Sequence, residues 1–544
     1  MPAKRPPGNL DTIRRRAYVA VLRPTTPDVK RDLAPVDLVV VATYLVAILA
    51  MSYAFARRQR TGGDYFLASR AMGGPTLAMS ILANQASAIS LIGAPAFVAL
   101  RAGGGLTWLQ YELALPLAMA TAIAILVPVL RTVKGPSIYA YAGARFGPGT
   151  RRALAGAFLL SRGLALGVVL YASALVVAEA LGWPVDEAII GVGLFSLAYT
   201  SLGGIVADIW SDVVQLGLLW LGTLVGAGFL LARGGAELLH AVPLERARTL
   251  SPGWGTGPEG TFAFWPMLLG GVFLYVSYYA CDQSQAQRLL TARSDADARR
   301  SLLLNGLLRF PLVLTYCLFG LLLAAFLATD ASFAARLAGR PPDSLVPAFM
   351  MEVLPAGLRG LLLAGILAAA MSSIDSALNS LAAVTLEDVL GMDPARQPVR
   401  LGRVTSVAWG LFAVASGMAF ARSGSGVLEL VNQVGSAFYG PVLAVFVLGV
   451  VAPGVDGRGA LAGLAAGLGT NLALARLVPS LSWLWWNPAG FGAAVLMALA
   501  LARGPRRLVR PPWPRTETRW LLAAFAVMLG VLLVLPWVVT RIVR

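Results

Sequence analysis

The chain has 544 residues, of which 57% are hydrophobic and only 13% charged. A water-soluble protein carries about a quarter charged residues, so a soluble enzyme is excluded and the chain reads as an all-α polytopic membrane protein. The net charge of +17 reads as membrane orientation rather than nucleic-acid binding, because arginine collects in the connectors between apolar runs. A single histidine, His240, excludes multi-histidine metal centres, and Cys281 and Cys317, both in apolar runs, give no disulfide framework. No GxxxxGK[ST] run argues for an ATP-driven pump.

In chain order, residues 1–34 are basic, with Arg14-Arg15-Arg16, and read as a disordered tail without a signal peptide. A leading transmembrane helix is expected over 36–55. Further spans are expected over 75–100, 107–130, 152–180, 186–202, 208–232, 262–288, 300–328, 356–388, 400–421, 426–451, 458–477, 482–502 and 518–540, about fourteen transmembrane helices in all. No soluble domain is expected after the last. Connectors after the odd-numbered spans hold 23 Lys/Arg, against 11 in the opposite connectors and the C-terminus. That bias puts the first set in the cytoplasm and both ends outside, although the tail's eight Lys/Arg run against it.

Several spans carry polar groups at depth. The second contains Asn84-Gln85, Ser87, Ser90, Gly93 and Pro95. Small residues can serve as a packing face, but adjacent Asn and Gln followed by Gly and Pro favour a broken helix whose freed carbonyls can coordinate a cation. The third begins Leu109-Gln110-Tyr111-Glu112 and the sixth holds Trp210-Ser211-Asp212-Val213-Val214-Gln215. The seventh, 262–288, has Tyr275, Tyr278 and Tyr279 ahead of Asp282-Gln283-Ser284, either a packing ladder or a gate over a polar ligand. In the ninth, Ser372, Asp375, Ser376 and Asn379 share one helix face, which in hydrocarbon must meet a partner helix, water or an ion. We read the ion as sodium. Glu112, Asp212 and Asp375 are the strongest functional candidates, because a carboxylate in lipid is costly unless paired or ion-bound; the plainer reading is a helix end in water. Arg162 and Arg309, also in apolar runs, read as snorkelling or structural pairing rather than solute binding.

The two irregular spans are five apart, and each opens a set of five helices, 75–232 and 262–451. Odd-numbered repeats invert in the membrane, so this is the pattern of an inverted-repeat transporter. One leading helix and about three trailing helices, over 458–540, complete it.

These residues resemble the sodium:solute symporter family over about 36–500. The resemblance rests on Asp64-Tyr65-Phe66-Leu67-Ala68, the Ala83-to-Gly93 run, Tyr199-Thr200-Ser201-Leu202-Gly203-Gly204 ahead of Trp210 to Gln215, Gln287-Arg288, Ser372-Ser373, and Gly440-Pro441-Val442-Leu443 with Phe446 and Gly449. It implies a LeuT-like 5+5 inverted-repeat core that couples sodium entry to solute uptake by alternating access. It also implies a main sodium site of the Ala83, Ala86 and Ala369 carbonyls with the Ser372 and Ser373 hydroxyls. A second sodium or proton site would use Asp212, Asp375 and Ser376; Asp375 stands where relatives usually have serine. The solute positions are Gln85, Ser90, Glu112, Tyr171, Tyr279 and Gln433, with Tyr278 as an inner gate. Glu112 fits an anionic solute only if it is paired or protonated.

The segments Ser376 to Asp388, Gly167 to Ala172 and Gln285 to Arg288 resemble the branch that carries monocarboxylates, vitamins and iodide. The expected cargo is therefore a small organic anion such as a monocarboxylate, with sugars, polyols and amino acids as alternatives. A transporter-like membrane sensor is the reading from another class. An enzyme is not expected, for want of a nucleophile constellation. The implied partners are the solute, sodium and the lipid bilayer, with no nucleic acid, and the implied location is a bacterial inner or plasma membrane.

Overall fold

A computed structural model describes residues 33–57, 66–130, 132–257, 260–393, 398–422, 427–504, 508–511 and 513–544; within them the chain is helical, with isolated β-bridges and no strand. The basic tail expected over 1–34 lies outside the described residues except for 33 and 34, as do Asp64 and Tyr65.

The leading helix α1 (Pro35–Ala56) starts on a proline, whose missing N–H costs nothing in a first turn. The first broken span follows: α2 (Gly74–Gln85) and α3 (Ala88–Leu100) meet at 56°. Ala86 (φ −80°, ψ 65°) and Ser87 (φ −76°, ψ 174°) leave the helical path. The carbonyls of Ala83 to Ala86 thereby lose the N–H groups that a continuous helix would offer them. A 3-10 turn, Leu106–Leu113, runs into α4 (Ala114–Leu130), and a connector helix α5 (Tyr139–Phe146) leads to α6 (Pro148–Leu181). The next helix, α7 (Val185–His240), contains the two spans expected over 186–202 and 208–232. They are separated at Gly204, where φ 58°, ψ −173° is a backbone conformation that glycine alone enters freely.

The second broken span is α8 (Gly271–Cys281) and α9 (Gln283–Leu290). Its break has a local cause. Asp282 is extended (φ −74°, ψ 122°), and its carboxylate accepts the Ser284 N–H at 2.9 Å, an N-cap that starts a new helix. Then come α10 (Asp295–Thr329), the connectors α11 (Ala331–Leu337) and α12 (Leu345–Glu352), and α13 (Leu358–Val384), prolonged by a π-turn Thr385–Val389. The chain closes with α14 (Val399–Ala421), α15 (Val427–Val451), α16 (Gly457–Leu477), α17 (Trp486–Ala500) and α18 (Arg515–Val543).

Among the described residues, ten helices are long and apolar enough to cross a membrane, and the bent pair α2–α3 makes an eleventh. The other expected spans are helical but short or joined: 186–202 is the first part of α7, 262–288 is split by Asp282, and 482–502 holds the 15-residue α17. The core is built around α13. Its apolar stretch is 89% buried, against 17% for α1 and α18, whose Val39, Val46, Trp520 and Trp537 are exposed at the periphery. The Asp37 carboxylate fixes α1 to α13 by accepting the N–H groups of Gly357 (2.7 Å) and Gly360 (2.8 Å). The approach is so close that a Cβ at Gly360 would lie 2.6 Å from the Asp37 Cα.

Candidate functional site

The break between α2 and α3 faces the middle of α13. The Ser372 hydroxyl donates to the Ala369 carbonyl at 3.0 Å and to the Ala83 carbonyl at 3.4 Å. The Ser373 hydroxyl donates to the Asn84 carbonyl at 3.1 Å and to that of Ala369 at 3.5 Å. Four of the five expected sodium ligands, Ala83, Ala369, Ser372 and Ser373, are therefore in direct contact, and the fifth, Ala86, is the buried residue at the break itself. The cradle consists of neutral oxygens, which suits a hard monovalent cation that has to be released again. Asn84 is an addition: it is buried, and neither atom of its carboxamide has a hydrogen-bond partner.

One helical turn further along α13 the arrangement changes. Asp212 and Ser376 do come together, with Arg288 between them. The buried guanidinium donates through Nη2 to Asp212 Oδ2 (2.8 Å) and to Ser376 Oγ, through Nε to Ser80 Oγ (2.8 Å), and through Nη1 to the Ser284 carbonyl (2.9 Å). Asp208 Oδ2 lies 3.1 Å from the same Nη2. Asp375 points elsewhere and accepts a hydrogen bond from Thr200 Oγ1. Asp375 and Ser376 are about 100° apart around the helix axis, and they meet different partners, Thr200 on α7 and Arg288. Asp208 was missed in the sequence, although it lies four residues before Asp212 on the same helix face. Arg288 was visible there only as part of a motif.

Of the expected solute positions, Gln85 and Tyr279 are joined, the tyrosine hydroxyl donating to Gln85 Oε1. Ser90 and Gln433 are half-buried and Tyr171 is buried on α6. Glu112 is paired: Arg309 donates to it through Nε (2.8 Å) and Nη2 (3.3 Å), and the Tyr275 hydroxyl adds a third bond at 3.1 Å. Arg309 is thus a pairing residue, as expected. Arg162 departs from the expectation, being buried and outside the ion pairs found among the described residues, with Nε unpartnered and the guanidinium over the Tyr278 ring, 6.0 Å from its centroid. The gate residue Tyr278 accepts a hydrogen bond from Gln285 Nε2 at 2.7 Å.

Ion pairs close both ends of this core. At one end Arg101, where α3 stops, pairs with Glu429 in the first turn of α15. At the other, Arg151 in the first turn of α6 bridges Glu387 (2.8 Å) and Asp388 (2.5 Å) beyond α13, and the Ser137 hydroxyl donates to Asp388 at 2.5 Å. In the connector before α12, burial pushes the Asp343 carboxyl above its ordinary range, even though it accepts the Val427 N–H at 3.1 Å.

The sodium:solute symporter family model matches residues 65–467. The human sodium/iodide cotransporter is 27% identical over 425 residues, 76% of this chain and 65% of that protein. Human sodium-coupled monocarboxylate transporter 1 is 30% identical over 449 residues, 80% of this chain and 72% of that one. The sodium-dependent multivitamin transporter of Oryctolagus cuniculus is 32% identical over 456 residues, 80% and 69%. Among solved structures, the substrate-bound outward-open state of a Na+-coupled sialic acid symporter superposes with a TM-score of 0.78 at 22% identity, covering 88% of this chain and 100% of that one. The closed conformation of Mhp1, a nucleobase-cation-symport-1 family transporter, gives 0.52 at 16%, covering 85% and 95%. These two likenesses show the LeuT-like fold. The chain belongs to the sodium:solute symporter family, a family of membrane transporters and not of enzymes.

Proposed function

We propose that this protein is a sodium-coupled symporter that imports a small organic anion, such as a monocarboxylate, by alternating access. The observation that carries the sodium reading is the cradle in which Ser372 and Ser373 meet the freed carbonyls of Ala83 and Asn84 and the α13 carbonyl of Ala369. A hydroxyl that donates to a carbonyl can instead turn a lone pair towards a cation that the carbonyls also hold. The ion then ties the break in the first half of the fold to α13 in the second. In this reading sodium stabilises one relative position of the halves, and its loss to the cytoplasm frees them to move.

The ion pairs at the two ends supply the barriers. Arg101–Glu429 closes the outer side and Arg151 with Glu387 and Asp388 the inner side, given the arginine bias of the connectors. Solute and sodium enter when the first opens and leave when the second does.

Two observations favour an organic anion. Arg309 neutralises Glu112, so that carboxylate presents no free negative charge to the solute. The relatives named above are an iodide, a monocarboxylate and a multivitamin transporter. Within the same reading, the inverted repeats are 75–232 and 262–451, flanked by 36–55 and by trailing helices over 458–540. Asp212 and Ser376, with Arg288 as the resident competitor, and Asp375 beside Thr200 are the candidates for a second cation site, and the protein works in a plasma or bacterial inner membrane. The test is uptake of radiolabelled monocarboxylates into proteoliposomes with and without an inward sodium gradient. Equal uptake in both conditions would refute the coupling.

A further inference from the structure

Arg162 and Arg309 lie within apolar spans away from the Arg288 cluster, and they differ in one respect. Both are 9% exposed. Arg309 has Glu112 as its counter-charge. Arg162, on α6, is not in ion-pair contact with a carboxylate among the described residues, and its Nε has no hydrogen-bond partner. A buried guanidinium with no carboxylate in ion-pair contact is costly in a low-dielectric interior, and ionisable residues at such depth mark function by default.

The surroundings narrow that function. The Tyr278 ring lies against the guanidinium, and Tyr439 packs on Tyr278 with ring centroids 6.2 Å apart. Asp282 lines a small cavity together with Ser161, the residue before Arg162. Its Oδ1, however, is engaged by both the N–H (2.9 Å) and the hydroxyl (2.5 Å) of Ser284, where it caps α9. That cavity, which Ser277 and Tyr439 also line, is about 10 Å³, roughly the space of one water.

Position along α6 gives the subsite its place in the transport path. Tyr171, an expected solute residue, lies nine positions beyond Arg162, about 13 Å at the helical rise. Arg162 is nearer the end of α6 where Arg151 makes the inner ion pairs. It therefore sits on the release side of the solute positions, against the gate residue Tyr278.

We propose that Arg162 is the charge-recognising residue of an inner subsite that receives the carboxylate of the solute once Tyr278 swings aside. The planar guanidinium fork matches a carboxylate in two parallel hydrogen bonds. Asp282 keeps the well shallow enough for release, as a transit site requires. This inference rests on the organic-anion reading above.

The test uses the full chain in proteoliposomes with a sodium gradient, in wild-type, Arg162→Gln and Arg162→Lys forms. Labelled propionate, pyruvate and nicotinate serve as carboxylate probes, with nicotinamide and myo-inositol as neutral ones. Wild type is expected to carry at least one carboxylate. Arg162→Gln should cut that transport about tenfold or more. It should raise KM more for carboxylate presented from the inner side, in efflux or counterflow, than from the outer side. Sodium-dependent thermal stabilisation should stay intact, which a general loss of structure would not allow. Arg162→Lys keeps the charge but loses the fork and should raise the inner KM severalfold; if Arg162→Gln does not fold, this variant decides. Carboxylate transport with an unchanged inner KM in the variants would overturn the subsite and leave the organic-anion reading standing. A wild type that carries only the neutral probes would overturn that reading, and the subsite with it.

Discussion

Arg309 holds Glu112 through two hydrogen bonds, of 2.8 and 3.3 Å, and Tyr275 adds a third. The pair links the start of the third expected span to α10 deep in the core. Removing one partner leaves the other charge uncompensated, at about 3–5 kcal/mol. Glu112→Gln and Arg309→Met should each lower the thermal unfolding temperature in detergent strongly. The double variant Glu112→Leu/Arg309→Met should recover much of the loss. Single variants as stable as wild type would mean that the pair is not formed in the folded protein.

Asp375 is expected to matter for the number of coupled ions. It accepts from Thr200, whereas its neighbour Ser376 faces Arg288. If it belongs to a second cation site, Asp375→Asn should lower the Hill coefficient of sodium-dependent uptake towards one. An unchanged coefficient would leave Asp375 a structural role beside Thr200.

The end pairs should set which side is open. Arg101 and Glu429 are partly exposed, so their pair contributes about 1 kcal/mol or less. Glu429→Gln should speed labelling of an introduced Ser90→Cys by a membrane-impermeant thiol reagent from outside, by up to about fivefold. Arg151→Gln should slow it. Identical labelling rates in both variants would remove these pairs from the gating scheme.

Asp343 gives a pH signature. Burial raises its pKa in the folded state, so ionisation disfavours folding. The stability associated with its neutral form is present at low pH and is lost as pH rises from the unfolded-state value through the folded one. Asp343→Asn can still accept the Val427 N–H. It should raise thermal stability at pH 8 and leave it nearly unchanged at pH 4. The same shift at both pH values would contradict this assignment.

Much of this architecture is written in local chemistry. The break after Gln85 follows from a polar run in an apolar span, and the break at Asp282 from an N-capping carboxylate. The serine pair of α13 falls opposite the first break because helical periodicity puts Ser372 and Ser373 on that side. Long-range pairing was not legible. Nothing in the spacing says that Arg288 reaches Asp208 and Asp212, about 80 residues earlier, or that Arg309 finds Glu112. Nor does the 3.6 period alone separate Asp375 from Ser376. That separation depends on α7, where the break at Gly204 lies between Thr200 on one side and Asp208 and Asp212 on the other.

The central claim is that the cradle of α13 and the broken helix binds the coupling ion. The most direct measurement is the sodium dependence of monocarboxylate uptake by Ser372→Ala and Ser373→Ala proteins inserted at wild-type levels. Each substitution deletes one oxygen ligand and leaves the carbonyls in place. Sodium-stimulated uptake should be abolished, or its half-saturating sodium concentration raised about tenfold or more. Uptake with wild-type sodium dependence in the double variant Ser372→Ala/Ser373→Ala would contradict the account.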